Sequence, residues 1–303
     1  MTDSKYDELA SKLAASPDFR VIRRLDPQRP RQPLSGSKIR RAAIVDTETT
    51  GTDPAQDQVI ELAIVVFEYC LETGNVGLVV DSYDGLEDPG RPIPPESTAI
   101  HGITDAMVAG QRIDDARVEA LVKQSGIVIA HNARFDRGFL ESRLPIFATV
   151  PWACTWQEIP WSEAGIESSK LEYLAYRHGF FYEGHRAEID CLALLELLGR
   201  PFGQTGSTAL QVLLETARKP SFRLWANNSP FESKDALKKR GYRWVPDKRT
   251  WVGELASRED VPAELAWLKT TVYGGKSVAV DLDEFDARTR YSEREGHREK
   301  ART

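Results

Sequence analysis

The chain has 303 residues, 41% of them hydrophobic and 28% charged, as expected of a soluble globular protein with about two domains. Its 40 Lys and Arg stand against 46 Asp and Glu, and the resulting net charge of −6 at pH 7 disfavours a nucleic-acid partner when taken alone. Three scattered cysteines, no signal-peptide pattern and no run of about 18 apolar residues argue against a disulfide framework, a zinc site, secretion and membrane spanning, so we expect a cytoplasmic protein.

The predicted elements begin with a short amphipathic helix within residues 1–20. Together with a Pro/Arg-rich linker it occupies residues 1–40. Residues 42–46, 59–70 and 76–84 are apolar runs separated by turn residues, which predicts three strands in an antiparallel meander.

Strands and helices alternate in the following part of the chain. This order predicts an α/β domain over residues 41–202, with a mixed sheet flanked by helices. The predicted helices are 116–124, 133–144, 170–179 and 188–199, and the predicted strands are 126–132 and an edge strand within 152–159.

The composition changes after residue 202. Residues 203–220 predict a linker helix, and residues 221–275 predict a small, Trp-rich α+β module of basic character. Residues 276–303 are rich in charge and lack an apolar period, so we expect a disordered tail.

Charge follows the same division. Residues 1–41 carry ten basic and five acidic side chains, whereas residues 42–202 carry eleven basic and 26 acidic ones, a net −15. Residues 221–275 return to +3. Solvated terminal arms are one interpretation of this pattern. The other is that acidic residues hold metal ions while the basic flanks meet a polyanion.

Five residues in the acidic block suggest chemistry. Asp46 and Glu48 lie two residues apart at the end of a strand, so both carboxylates occupy one face. Asp136 lies in the first turn of a helix that follows a buried strand, and Asp190 is one of few charges in an apolar helix. His185 precedes that helix. Taken singly, each residue is more often a cap, a turn or a paired structural group.

Taken together, the five residues favour metal-dependent hydrolysis. Carboxylates without cysteine favour Mg²⁺ or Mn²⁺. Two such divalent cations can stabilise the attacking and leaving oxygens of a phosphoryl displacement, and a histidine can act as base for water near neutral pH.

The segments IVDTETTGTDP, IAHNARFDRGFL and HRAEID, with IHGITDAM and the preceding Pro-Pro-Glu, resemble motifs of the DEDD family of 3′–5′ exonucleases. The resemblance is to the histidine subtype, which includes the proofreading epsilon subunit of bacterial DNA polymerase III. It covers about residues 41–202 and implies a ribonuclease-H-like α/β fold. It further implies that Asp46, Glu48 and Asp190 hold one metal, that Asp46 and Asp136 hold a second, and that His185 is the general base.

The same resemblance implies a set of substrate contacts around the terminal nucleotide. The backbone at Thr49 and Gly51 would meet the nucleotide, Glu96 the terminal sugar, Ile100 and His101 the nucleoside, and His131 and Asn132 the cleft near the phosphate.

The Trp-rich module has two interpretations. Four of the seven tryptophans lie in residues 221–275, where large aromatic side chains can build the core of a small domain. Lysines and arginines interleave with them, which suits single-stranded nucleic acid. Docking to another protein stays open.

The sequence therefore predicts an exonuclease that needs two divalent cations and removes nucleoside 5′-monophosphates from a DNA 3′ end, in repair or proofreading. The expected substrate is single-stranded DNA. RNA processing is an alternative, and so is a proofreading or scaffold subunit bound to a DNA polymerase or repair partner.

Overall fold

The computed structural model describes residues 4–36, 38–204 and 206–303 of the chain. Within these ranges the helices are too short or too polar to cross a bilayer. The strands are β1 (Arg23–Arg24), β2 (Ile39–Thr49), β3 (Val59–Cys70), β4 (Val76–Leu86), β5 (Val128–Ala130), β6 (Trp152–Cys154), β7 (Phe180–Phe181), β8 (Ser221–Ala226), β9 (Arg243–Val245), β10 (Thr250–Leu255), β11 (Ala279–Phe285) and β12 (His297–Arg302).

Helices surround these strands. The α-helices are α1 (Ser4–Ala14), α2 (Pro95–His101), α3 (Asp105–Val108), α4 (Asp115–Lys123), α5 (Ala133–Arg143), α6 (Thr155–Glu158), α7 (Leu171–Arg177), α8 (Ala187–Leu198), α9 (Ala209–Ala217), α10 (Lys234–Lys239) and α11 (Val261–Trp267). Short 3₁₀ turns lie at Pro145–Ala148, Trp161–Ala164, Phe231–Ser233 and Arg258–Asp260, and a π-helical turn lies at Leu268–Val272.

The main sheet has five strands in the order β4-β3-β2-β5-β6. Strands β2, β3 and β4 are antiparallel, whereas β5 and β6 run parallel to β2. The mixed sheet predicted from the sequence is therefore confirmed, and β2 lies at its centre.

Helices cover both faces of the main sheet. On one face, Leu194 and Leu197 of α8 pack against the even-numbered side chains of β2, such as Ile44. On the other face, Leu121 of α4 and Leu140 of α5 pack against the odd-numbered ones. This double covering explains why β3 is apolar on both faces.

The N-terminal segment packs on the same domain. The predicted N-terminal helix appears as α1, except that residues 1–3 lie outside the described residues. In the linker, β1 pairs in parallel with β7, and Arg29 and Arg31 form ion pairs with the buried Glu196 of α8. Part of the linker is thus held by the domain; its residue 37 lies outside the described residues, as does residue 205 of the predicted linker helix.

The C-terminal module is a five-stranded antiparallel sheet in the order β12-β11-β8-β10-β9, with α10 and α11 on one face. Its helix α10 starts at Lys234, directly after the 3₁₀ turn at Phe231–Ser233. The prediction of a disordered tail over residues 276–303 is wrong, because β11 and β12 belong to this sheet. Val280 and Leu282 enter the core, while Asp281 and Asp283, which alternate with them, form ion pairs with Lys300 and Arg298 of β12. The high charge of this segment conceals its alternation of apolar and polar residues.

Candidate active site

Three carboxylates meet at the end of the central strand. Strand β2 continues to Thr49 and places Asp46 and Glu48 on one face, as the spacing predicts. The first turn of α8 adds Asp190. One carboxylate oxygen from each of the three residues lies within 4.8 Å of the others. The structure therefore brings together three of the four predicted metal ligands.

The fourth carboxylate, Asp136, lies on α5 with 3% of its surface exposed. The hydroxyl of Thr47 donates a hydrogen bond of 2.9 Å to its Oδ1. Asp136 is not part of the group of three. After burial, however, its charge is the largest contribution that raises the pKa of Asp46. Asp136 thus faces the same site from the side of α5.

The electrostatics of this site favour a cation. Burial and the neighbouring carboxylates raise the pKa of Asp46 well above its ordinary value and that of Glu48 to about 8. Burial raises the pKa of Asp136 to about 7, and it also raises the pKa of Asp190. Ionised acids at this distance repel each other, and a divalent cation removes that repulsion. The donor set of hard oxygens, three half-buried carboxylates beside the buried Asp136, therefore fits Mg²⁺ or Mn²⁺.

Asp190 is held in place by two donors. The hydroxyl of Tyr182 donates to its Oδ1 at 3.0 Å, and the backbone N–H of Arg186 donates to its Oδ2 at 3.1 Å. Both donors stabilise the ionised form and fix the carboxylate at the start of α8.

Glu61 is a functional residue that sequence reasoning missed. It is fully buried on β3, opposite Glu48 in the register of the sheet. Its carboxylate accepts hydrogen bonds from the guanidinium of Arg186, at 2.6 and 2.9 Å, and from the backbone N–H of Ala187, at 3.0 Å. Glu61 therefore holds the start of α8 beside the carboxylates. Its signal in the sequence is an acid inside the otherwise apolar run of residues 59–67.

His185 lies in the loop that precedes α8. Its backbone has a φ of 66°, in the left-handed region that non-glycine residues seldom adopt. Its side chain is 56% exposed, and Nε2 lies 3.8 Å from Oε1 of Glu172. The imidazole is thus open to solvent and lies near the carboxylate of Glu172.

The loop after β2 is held tightly at the two residues predicted to meet the nucleotide. The hydroxyl of Thr49 donates to the carbonyl of Gly51 at 2.5 Å. A Cβ at Gly51 would collide with the carboxylate of Asp57, so a larger residue at this position requires the Asp57 side chain to move.

Helix α2 carries three of the predicted substrate residues. Glu96 is exposed, and Ile100 presents an apolar side chain that is 61% exposed. His101 is buried, and its Nδ1 accepts a hydrogen bond of 3.0 Å from the N–H of Ile103. Burial lowers the pKa of His101, so the ring is neutral at pH 7. The exposed Ile100 is the residue of this helix best placed to pack on a nucleoside.

The structure shows which contacts hold the side chain of His131, a residue predicted to line the cleft near the phosphate. Nδ1 of this ring lies 2.8 Å from the hydroxyl of Thr155, and Nε2 lies 2.7 Å from the carbonyl oxygen of Ser169. Burial lowers its pKa to about 4. Since both ring nitrogens are engaged, His131 joins two segments of the domain. Its neighbour Asn132 is exposed at the start of α5.

The chain was compared with known families and proteins. The family described as exonuclease, RNase_T, matches residues 43–198, which include all five candidate catalytic residues. Exodeoxyribonuclease 10 of Escherichia coli K12 is 32% identical over 186 residues, covering 58% of this chain and 74% of that protein.

Other similar proteins are much longer. A PolC-type DNA polymerase III of Clostridium perfringens is 31% identical over 167 residues, covering 51% of this chain and 11% of that protein. The chain spans only 6 to 14% of the length of the polymerase III relatives that it matches. A crystal structure of E. coli exonuclease I in complex with a dA16 oligonucleotide superposes with a TM-score of 0.50 at 15% identity, covering 72% of this chain and 63% of that one. The predicted ribonuclease-H-like fold is thereby confirmed.

Proposed function

The chain belongs to the exonuclease family, and from that premise we propose that it is a metal-dependent 3′–5′ exonuclease of the histidine subtype. It would hydrolyse the terminal phosphodiester of DNA and release nucleoside 5′-monophosphates. The observation that carries this proposal is the meeting of Asp46, Glu48 and Asp190 within 4.8 Å, with Asp136 buried beside them.

These four carboxylates would hold two divalent cations. Asp46, Glu48 and Asp190 would bind one ion, and Asp46 and Asp136 the other. When bound, Mg²⁺ or Mn²⁺ supplies positive charge that stabilises the attacking and leaving oxygens. The chain contributes ligands whose positions are already fixed by Thr47 at Asp136 and by Tyr182 at Asp190.

His185 would be the general base. Its imidazole accepts the proton of the attacking water, whose oxygen bonds to phosphorus as the bond to the 3′ oxygen breaks. The carboxylate of Glu172 lies 3.8 Å from Nε2 of this ring. The exposure of His185 supports this role because water and the polymer end must both reach it.

Around the terminal nucleotide, the backbone of Thr49 and Gly51, the carboxylate of Glu96 and the side chain of Asn132 would form polar contacts. Ile100 would pack on the nucleoside, with His101 supporting it from inside the domain. The exposure of Ile100 on α2 supports this arrangement.

The C-terminal module would bind the single-stranded part of the substrate. A cavity of about 610 Å³ lies between the two domains, with Arg134 and Gln157 on one side and Arg243 and Glu254 on the other. Arg134 and Arg223 both approach Glu254, at 3.8 and 3.5 Å. Burial, followed by the positive charge of Arg134, lowers the pKa of the nearby Arg223. The cavity lining holds three arginines, Arg134, Arg240 and Arg243, against two glutamates, Glu254 and Glu264, and a phosphate would balance the excess positive charge.

Association with a DNA polymerase is a second proposal, favoured by the polymerase III relatives that share this domain. Co-purification of the full chain with a polymerase would support it, and isolation of an active, unaccompanied chain would contradict it.

The test of the activity is a cleavage assay with the purified chain and Mg²⁺ or Mn²⁺. Single-stranded DNA, duplex DNA and RNA, each labelled at one end, are the substrates. Stepwise release of mononucleotides from the 3′ end of DNA is the expected result. Cleavage from the 5′ end, internal cleavage, or a preference for RNA would contradict the proposal.

A further inference from the structure

The segment 286–294, between β11 and β12, leaves the C-terminal sheet and packs into the exonuclease domain. Tyr291 is only 3% exposed and belongs to the apolar core formed by the main sheet with α4 and α5. The backbone N–H of Trp152, on the edge strand β6, donates to the carbonyl of Ala287 at 2.7 Å. The segment therefore covers the open edge of the catalytic sheet.

Arg137 of α5 is the principal anchor of this segment. Its side chain is fully buried, and its guanidinium donates to the carbonyl oxygens of Arg290, Arg288 and Ala287 at 2.7, 2.5 and 3.4 Å. Its Nε donates to Glu141 at 2.7 Å, and Glu141 also accepts from Ser292 at 2.6 Å. One arginine thus links α5 to three carbonyls of a segment some 150 positions away in the chain.

A second arginine fastens the segment from its own side. Arg290 is buried, and its guanidinium contacts the carboxylate of Glu158, the carbonyl of Lys219 and the hydroxyl of Ser221. These partners lie at α6 and at the entry to the C-terminal module. The segment is therefore held to the exonuclease domain by two arginines, Arg137 from α5 and Arg290 from within the segment.

Asp136, the carboxylate that α5 gives to the site, immediately precedes Arg137. Adjacent residues on a helix are separated by about 100° of rotation, so the anchor of Arg137 fixes the rotational setting of α5 and with it the direction of Asp136. On the side of the site, the hydroxyl of Thr47 donates a hydrogen bond to the carboxylate of Asp136.

We propose that segment 286–294 is a structural part of the exonuclease domain and that Arg137, acting through it, is a positioning residue for Asp136. This inference rests on the proposed function, because the role of Asp136 as a metal ligand belongs to that proposal. It also means that residues 43–198 are not the whole catalytic unit. Deleting residues 221–303 would remove Tyr291 from the exonuclease core together with the module.

The test compares Mn²⁺ binding by the full-length wild type and by Arg137→Lys, measured from the electron paramagnetic resonance signal of free Mn²⁺. A lysine keeps the charge but cannot reach three carbonyls and Glu141 at once. Mn²⁺ affinity should fall by about tenfold, as when an outer partner of a metal ligand is removed. The KM for single-stranded DNA should stay within about twofold, because Arg137 is far from solvent. Arg117→Lys, on α4, is the matched control and should bind Mn²⁺ like the wild type.

Hydrogen exchange of the wild type supplies a measurement that needs no variant. If metal and segment share the setting of α5, Mn²⁺ should slow amide exchange in residues 286–294 but not in α11. Equal Mn²⁺ affinity of Arg137→Lys and wild type would overturn the positioning role, and so would unchanged exchange in the segment. A wild type that binds Mn²⁺ without cleaving DNA would overturn the proposed function, and the two affinities would still decide the role of Arg137.

Discussion

Two strands of the molecule carry acid pairs at the same spacing, with opposite electrostatic surroundings. Asp46 and Glu48 lie on β2, and Asp281 and Asp283 lie on β11. In the C-terminal sheet, Nζ of Lys300 lies 2.5 Å from Oδ1 of Asp281, and its ammonium helps lower the pKa of that carboxyl. At the end of β2, in the described part of the chain, neither Asp46 nor Glu48 forms an ion pair with a lysine or arginine, and both pKa values are raised.

Asp283 shows how completely a structural acid is satisfied. Arg298 donates to both its oxygens, at 2.6 and 2.8 Å, and the indole of Trp225 donates at 2.7 Å. Identical spacing in the sequence therefore does not distinguish a proposed metal ligand from a structural acid. The two kinds of acid differ in whether the fold gives them a cationic partner.

Replacement of the proposed base would give the largest effect among the predictions that extend this comparison. His185→Ala should lower the rate of DNA cleavage by about 10²–10⁴-fold, as expected for loss of a general base. Mn²⁺ binding should be unchanged because His185 is not a proposed ligand. Single-turnover cleavage measures the rate, and His297→Ala, on β12, is the control. A variant that keeps wild-type activity would remove His185 from the reaction.

Loss of the ion pair between Arg298 and Asp283 should reduce the stability of the fold. Removal of a charge from the acids of β2 should not reduce it. Arg298→Ala leaves the buried Asp283 without its guanidinium, and the free energy of unfolding should fall by about 3 kcal/mol. Asp46→Asn, measured in EDTA, should raise that free energy because it removes a repelling charge from the site. Urea denaturation reports both values. A loss of stability in both variants would contradict the distinction between the two pairs.

The pH dependence of the metal-free protein should show the same repulsion. The folded-state pKa of Glu48 is raised from 4.5 to about 8, and that of Asp136 from 3.8 to about 7. Between these values the folded chain binds more protons than the unfolded chain, so in EDTA the free energy of unfolding should fall as the pH rises from about 4 to 8. Saturating Mn²⁺ should suppress this decline, since the ion binds the ionised carboxylates.

Thermal unfolding followed by circular dichroism at several pH values measures that slope. Glu48→Gln should make the slope in EDTA shallower, because one of the raised carboxyls no longer titrates. A slope that is the same in the variant and the wild type would mean that Glu48 is not coupled to the site.

The smallest effect is expected from a substitution in the cavity between the two domains, at Arg243. Arg243→Ala should weaken binding of single-stranded DNA a few-fold and reduce the slope of log affinity against log salt by about 1. The rate at saturating DNA should not change. Lys238→Ala, in the same module but outside the cavity lining, is the matched control. Equal salt slopes for the two variants would remove Arg243 from the DNA path.

The sequence predicted the main sheet and the carboxylate cluster well, for a physical reason. Residues 42–45 of β2 are an uninterrupted apolar run, so the common direction of the Asp46 and Glu48 side chains that follow it was predictable from the period of two. Asp190 was visible as one of few charges in an apolar helix.

Other parts of the structure depend on contacts between residues far apart in the chain, which the periodicity of the sequence does not predict. Segment 286–294 is held by buried arginines that bind backbone carbonyls, and such contacts leave no apolar pattern. The same holds for Glu61, whose partner Arg186 lies 125 positions away in the chain. The hydrogen bond between His131 and the carbonyl of Ser169 was not predictable either, because it depends on a loop of irregular course.

Cleavage of 3′-labelled single-stranded DNA by the wild type, Asp46→Ala and Asp281→Ala, in Mg²⁺, tests the central claim most directly. Asp46→Ala should lose at least about 10³-fold in rate with its fold retained, since stabilisation worth several kcal/mol is removed. Asp281→Ala should cleave like the wild type. Wild-type activity in Asp46→Ala, or an equal loss in both variants, would contradict the assignment of the unpaired carboxylates as the catalytic metal site.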